Sequence, residues 1–207
     1  MDFYQVLRPL LFSLPPDMAH DVSQWAFRRR LWARLSFEGK AELPLDTTLA
    51  GTDLSNPFGL AAGFDKNGDI TAAVTSLGFG FTVVGSVRAA PHPGNPRPWF
   101  VRRTRADGLV NSMGLPSRGA AHVKGQLEPL SLKVPLMVSV TGETTDDFLR
   151  VCHELKGVTT HWEMNLSCPN TSTGRTFEED LESFRELLNG LRSLPQHLFL
   201  KLSPNET

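Results

Sequence analysis

The chain has 207 residues, 40% hydrophobic and 21% charged, with a formal net charge of −1. That is an ordinary globular composition with enough apolar residue for one core, and near-neutral charge leaves no footprint for nucleic acid. Its two cysteines, Cys152 and Cys168, form no CxxC pair, and with no HExxH the sequence offers neither a disulfide framework nor a zinc or iron–sulfur site. A reducing cytoplasm suits such a chain.

No apolar run approaches the ~20 residues of a membrane span. The N-terminus lacks the basic leader, apolar core and small-residue cleavage site of a secretory signal.

Residues 2–37 read as two helices. Phe3, Val6, Leu7, Leu10, Leu11 and Phe12 make one stripe, and Leu14-Pro15-Pro16-Asp17 interrupts it. The second helix mixes His20, Trp25, Phe27, Leu31, Trp32 and Leu35 with Arg28, Arg29, Arg30 and Arg34. Such a basic, aromatic, amphipathic pair fits a membrane surface, or equally a helical hairpin packed on the body. Residues 1–40 are therefore read as a helical extension and 41–207 as the main domain. Gly, Pro and Asp in 38–56 mark the boundary, with a small hairpin over 48–54.

From Pro57 onward, strands and helices alternate. Residues 58–63 form an apolar run without alternation, as in a strand buried on both faces. A helix follows over 68–77 and a strand over 81–86. After a long excursion come a helix over 117–127, a strand over 136–140 and a helix over 145–155. A strand ending at Asn165, a helix over 177–191 and a strand over 197–202 complete the series. The alternation predicts a parallel α/β fold. Eight such units close a (β/α)8 TIM barrel of about 250 residues. Five strands are counted here, so an incomplete barrel from a longer gene is expected. An open doubly wound sheet is the alternative, but no glycine-rich phosphate fingerprint follows the first strand.

In parallel barrels chemistry gathers at the C-terminal ends of the strands. The first such end is Ala61-Ala62-Gly63-Phe64-Asp65-Lys66-Asn67-Gly68. Its small residues let a flat ring approach the backbone, and Lys66 supplies a cation; a tight turn with a solvated lysine is the plainer reading. The second is Val84-Gly85-Ser86, followed by a proline-stiffened loop over 91–98. The third is Val138-Ser139-Val140-Thr141-Gly142. The fourth is Met164-Asn165-Leu166-Ser167-Cys168-Pro169-Asn170-Thr171. Here Pro169 ends the ladder and holds Cys168 extended. Asn165 and Asn170 carry donors and acceptors suited to a heterocycle with ring amides. Cys168 can serve as base or nucleophile once its pKa is matched to the site, or it is a structural cysteine beside a turn. Lys201 ends the fifth strand.

The string Asn165-Leu166-Ser167-Cys168-Pro169-Asn170 resembles the active-site loop of dihydroorotate dehydrogenases and the related dihydropyrimidine dehydrogenases. The resemblance runs from Leu7 to Pro204. It implies an FMN enzyme that oxidises dihydroorotate to orotate in pyrimidine biosynthesis. By that likeness Ala62, Gly63, Lys66, Ser86, Ser139, Asn165 and Lys201 contact FMN. Lys66, Asn165, Asn170 and the loop Asn111-Ser112-Met113-Gly114-Leu115 hold the substrate. Cys168 is the base that removes the C5 proton as hydride leaves C6 for the flavin.

The segment 7–20 resembles the N-terminal extension of the class 2 enzymes. This implies a quinone acceptor and a peripheral site on the cytoplasmic side of the inner membrane; the alternative is a cytoplasmic protein. A homodimer is left open. Class 2 enzymes carry Ser where Cys168 stands and Asn where Ser139 stands, so these two positions follow class 1. They also carry Arg, Phe and Asn where Ser112, Leu115 and Pro116 stand, and the family usually has Thr at Ser86. The family's later phosphate-binding glycine turns find no match within the 207 residues. The rivals are a soluble class 1 enzyme using fumarate or NAD, a dihydropyrimidine dehydrogenase relative, and an inactive truncated paralogue. The second is disfavoured because that family has His after Cys-Pro.

Overall fold

The computed structural model describes residues 3–31, 45–166, 181–192, 194 and 197–202. Its centre is a five-stranded parallel sheet of β3 (Gly59–Leu60), β4 (Phe81–Val87), β7 (Leu136–Val140), β8 (His161–Asn165) and β9 (His197–Lys201), in that spatial order. Each strand pairs with the one before it in the barrel order, and the crossovers carry α3 (Thr71–Val74), α4 (Ala120–Leu127), α5 (Thr145–Glu154) and α6 (Leu181–Leu191). The arrangement is that of an incomplete barrel rather than a doubly wound sheet, because the strands follow one another in order without a switch point.

Alternation along each strand decides which side chains go where. Trp162 and Met164 of β8 point outward and are fully buried with Phe148 and Val151 of α5, Leu155 just after it, and Leu187 and Leu191 of α6. Val84, Val138 and Val140 join the same core, which α4 closes with Val123 and Leu127. The intervening residues His161, Glu163 and Asn165 therefore face the barrel interior. At its lower end the hairpin of β1 (Thr47–Leu49) and β2 (Thr52–Leu54) covers the interior, and Thr52 Oγ1 shares a 2.8 Å hydrogen bond with His161 Nε2.

Local chemistry sets the element ends. The helix α5 begins with a capping box, in which Thr144 Oγ1 accepts from Asp147 N at 3.2 Å and Asp147 Oδ2 accepts from Thr144 N at 3.1 Å. In β4 the register shifts between Val84 and Val87, so the strand bulges at Gly85-Ser86. Gly85 has φ 125°, and a Cβ there would meet Ser139 O at 2.4 Å, so only glycine lets β4 and β7 approach at this level.

The N-terminal segment forms α1 (Phe3–Ser13) and α2 (Pro16–Arg28), separated at the expected Pro-Pro break. Phe27 of α2 is buried against Ile70 and Val74 and stands edge-on to Phe64 at 5.4 Å, so the pair is packed on the body. Trp32, Arg34, Leu35 and the boundary expected at residue 40 lie outside the described residues.

Three expectations differ in detail. The first strand has two residues rather than six, since Ala62 and Gly63 already turn away. The helix expected from residue 68 starts at Thr71, because Gly68 takes φ 79°. The long excursion after β4 contains an unexpected antiparallel hairpin, β5 (Phe100–Arg103) and β6 (Gly108–Asn111).

Candidate active site

The strand ends converge on one cleft of about 230 Å³. Ala62, Gly63 and Lys66 come from the turn after β3, Gly85 and Ser86 from the bulge of β4, Asn165 from β8 and Lys201 from β9. Asn111, Met113, Gly114, Leu115 and Pro116 reach in from the segment leaving β6. These twelve residues are distant in sequence, and ten of them are expected site residues; Gly85 and Pro116 are the additions.

The floor is a short polar relay. Asn165 Nδ2 donates to Ser86 Oγ at 2.9 Å, and Ser86 Oγ and Ser139 Oγ share a hydrogen bond of 2.8 Å, all three side chains being buried. The β4 bulge makes this possible by turning Ser86 toward Ser139. Ser139 therefore sits beneath the cleft rather than on its surface. The relay fixes the orientation of the Asn165 amide, so its remaining polar capacity is presented in one direction.

Lys66 is the site's buried cation. Its Nζ donates to Gly63 O at 2.6 Å. Burial pulls its pKa down to about 8, against the opposing charge of Asp65. Asp65 is itself buried, accepts from Thr71 Oγ1 at 2.5 Å and has its pKa raised by burial. Its backbone oxygen accepts from Gly85 N at 2.9 Å and Gly63 N donates to Gly85 O at 2.8 Å, which ties the first and second strand ends together. Gly63 has φ 106° and nothing within 4 Å of where a Cβ would stand, so its face is open toward the cleft.

Ser112 does not line the cleft. Asn95 Nδ2 donates to its Oγ at 3.1 Å, and Asn95 N donates to Met113 O at 2.9 Å, so the loop after β6 hangs from Asn95. Asn95 was visible in the sequence only as part of a stiff loop; a carboxamide within Pro-Gly-Asn-Pro was the available signal. Cys168 and Asn170 lie outside the described residues.

A second cleft of about 520 Å³ opens between α2, the β5–β6 hairpin and the same turn. Pro16, His20, Phe100, Arg102 and Leu109 line it, and it shares Ala62, Gly63, Asn111 and Met113 with the first cleft. His20 Nε2 is buried with no hydrogen-bond partner among the described residues. Burial, then the Lys66 charge, lowers the His20 pKa and favours its neutral form. Arg102 donates to the carbonyl oxygens of Leu11, Phe12 and Leu14 at 3.2, 3.3 and 2.7 Å and so holds the end of α1. Asp17 accepts from Trp99 N at 3.0 Å and Phe100 N at 3.3 Å. Arg97 clasps Asp21 at 2.7 and 3.1 Å while lying over Trp99. The hairpin that sequence reading missed is thus what seats the helices. His20 and Arg102 were not singled out as site residues, because only the fold brings them to the cleft.

The family profile described as Dihydroorotate dehydrogenase matches residues 44–207. A protein named Dihydroorotate dehydrogenase (quinone) from Methylococcus capsulatus is 36% identical over 201 residues, which are 92% of this chain and 58% of that one. One of the same name from Deinococcus deserti is 37% identical over 87% of this chain and 53% of its own length. The crystal structure of DHODH in complex with ferulenol from Eimeria tenella superposes with a TM-score of 0.80 at 26% identity, covering 93% of this chain and 60% of that chain. The chain spans between 53% and 65% of the length of these curated relatives. The matched segment takes in every strand of the sheet and every strand end that builds the cleft, and on that ground the chain belongs to the dihydroorotate dehydrogenase family.

Proposed function

We propose that the protein is a class 2 dihydroorotate dehydrogenase, which oxidises dihydroorotate to orotate with FMN and passes the electrons to a quinone. The observation that carries this reading is the wall shared by the two clefts. A flat group lying on Ala62 and Gly63 would meet a smaller site holding Ser86, Asn165 and Lys201 on one side and a larger one walled by α2 and the β5–β6 hairpin on the other.

The residues fit FMN. The open face of Gly63 and the small side chain of Ala62 leave room for a ring system against the backbone. Ser86, Asn165 and Lys201 offer polar groups at its edge. FMN, when bound, supplies the hydride acceptor, a chemistry that no side chain provides.

The chain's own groups do the rest. Asn165, locked by the serine relay, and Asn170 orient the substrate ring through its amides. Lys66, cationic below about pH 8, pairs with the substrate carboxylate. Cys168 takes the proton from the carbon acid as a thiolate, which needs its pKa brought near the working pH. Fixed charge and positioning account for most of the acceleration.

On the other face, the Arg102 guanidinium provides donors for a quinone carbonyl, with His20, Phe100 and Leu109 walling the cleft. Val6, Leu10, Met18, Val22 and Trp25 of the helices are exposed, which suits docking on a membrane surface. Among the described residues no helix is long and apolar enough to cross a membrane.

The test is a steady-state assay of the complete protein with dihydroorotate and ubiquinone, fumarate or NAD as acceptor. Ubiquinone is expected to support turnover, and His20→Ala to raise the KM for quinone but not for dihydroorotate. Turnover with fumarate alone would assign the protein to the soluble class that Cys168 and Ser139 resemble.

A further inference from the structure

The loop that leaves β6 for the first cleft is held from outside. Gly114 takes φ 68° and Leu115 φ 52°, and a left-handed leucine persists only where its surroundings fix it. Two glycines press this loop against the one before it. A Cβ on Gly94 would lie 2.4 Å from Met113 O, and one on Gly114 would lie 2.5 Å from Asn95 Oδ1. Segments in contact at the backbone have no slack and move together. The far end is pinned by a two-way backbone bond between His92 and Ser117, at 2.8 and 2.9 Å.

Trp99 ties the near end and uses all three of its polar groups to do so. Its carbonyl oxygen accepts from Ser112 N at 2.8 Å, its indole Nε1 donates to Asn95 O at 2.7 Å, and its amide N donates to Asp17 Oδ1 at 3.0 Å. The first bond holds the loop directly. The second holds it through Asn95, whose Nδ2 donates to Ser112 Oγ at 3.1 Å and whose N donates to Met113 O at 2.9 Å. The third reaches α2. Asp17 is 14% exposed there and also accepts from Phe100 N at 3.3 Å. Arg97, which lies over the indole, is clasped by Asp21 one turn further along the same helix. Trp99 itself lines neither of the two clefts.

We propose that Trp99 is a positioning residue for the loop Asn111–Leu115, and that through it the seat of α2 sets the affinity for the pyrimidine. The inference rests on the dihydroorotate reading above. The contacts lie in series, from Asp17 to Trp99 to Asn95 to the loop. Four residues of that loop line the first cleft, and α2 walls the second, so one mechanical link serves both approaches.

The experiment uses the complete protein with FMN bound. Orotate is titrated and followed by the change it makes in the visible flavin spectrum. Trp99→Phe keeps an aromatic ring and loses one donor, and it is expected to weaken orotate binding about fivefold, the worth of one neutral hydrogen bond. Asp17→Ala removes two bonds to a charged acceptor and should weaken it about tenfold. Asp17→Asn, which keeps one acceptor oxygen, should fall between Asp17→Ala and wild type. Because the contacts are in series, the double variant Asp17→Ala with Trp99→Phe should lose less than the product of the two effects. Thr144→Ala, which loosens α5 away from the cleft, should leave orotate affinity within about twofold of wild type.

Orotate affinity within about twofold of wild type in either Trp99→Phe or Asp17→Ala would overturn the inference. So would effects that multiply in full in the double variant, or a loss in Thr144→Ala as large as theirs. Wild-type protein that binds FMN but no orotate would instead remove the dihydroorotate reading beneath, so the two failures are distinct.

Discussion

On the proposed reading, Cys168 and Lys66 carry opposite halves of the pH dependence. Cys168→Ala should abolish reduction of the flavin by dihydroorotate, measured in a single turnover. Cys168→Ser should keep some activity and move it to higher pH, because a hydroxyl ionises far above a thiol at about 8.5. Lys66 works in the other direction. Its cationic form is the binding form, and burial has lowered its pKa to about 8. Affinity for the substrate carboxylate is therefore full below that value and lost as pH rises through it. The KM for dihydroorotate should climb above about pH 8 by up to about tenfold per unit, while Lys66→Met should show a high KM with no such slope. Most of these side chains were legible through the family resemblance, since on the residues alone a tight turn with a solvated lysine was the plainer reading. The Ser86 to Ser139 relay was not legible, because it depends on a bulge that only the packing of Gly85 against Ser139 O explains.

Among the elements, β8 with α5 is the keystone. Trp162 has no exposed surface and joins the sheet to both flanking helices, so Trp162→Ala should cost about 3–5 kcal/mol in denaturant unfolding. Thr144→Ala removes the cap of α5 and should cost about 1 kcal/mol without touching the cleft. Below β8, burial and then the neighbouring His197 hold the His161 pKa under its ordinary 6.5, with the two rings 4.8 Å apart. A depressed imidazole pKa means that the unfolded chain takes up the proton first. The contribution is thus complete above about pH 6.5 and is lost as pH falls through the lowered folded value. The Tm should fall on acidification below that point, and less steeply in His197→Asn. Periodicity placed β4, β7, β8 and β9 within two residues at each described end, because each is bounded by turn residues and backed by a helix. It missed β5 and β6, because β5 turns Arg102 inward and Val101 outward, against the usual apolar-in pattern, and all four residues of β6 are exposed.

For the whole molecule, the arrangement that matters is one flat seat with two approaches. The class signals in the sequence disagreed, with helices of one class and a cysteine base of the other. The fold supports the proposal that the helices bear on the acceptor: Asp17, Asp21 and the carbonyls at the end of α1 are tied to the hairpin that walls the second cleft. The proposed base, Cys168, lies outside the described residues, and on the proposed reading it bears on the substrate half-reaction. Parallel α/β order was legible from alternation, whereas the second cleft was not, since His20 and Arg102 stand 82 positions apart and meet only through α2 and β5. The most direct measurement is anaerobic mixing of the flavin-loaded complete protein with dihydroorotate, followed by a quinone. Visible flavin absorbance should vanish in the first step and return in the second; absorbance that dihydroorotate leaves unchanged would contradict the account.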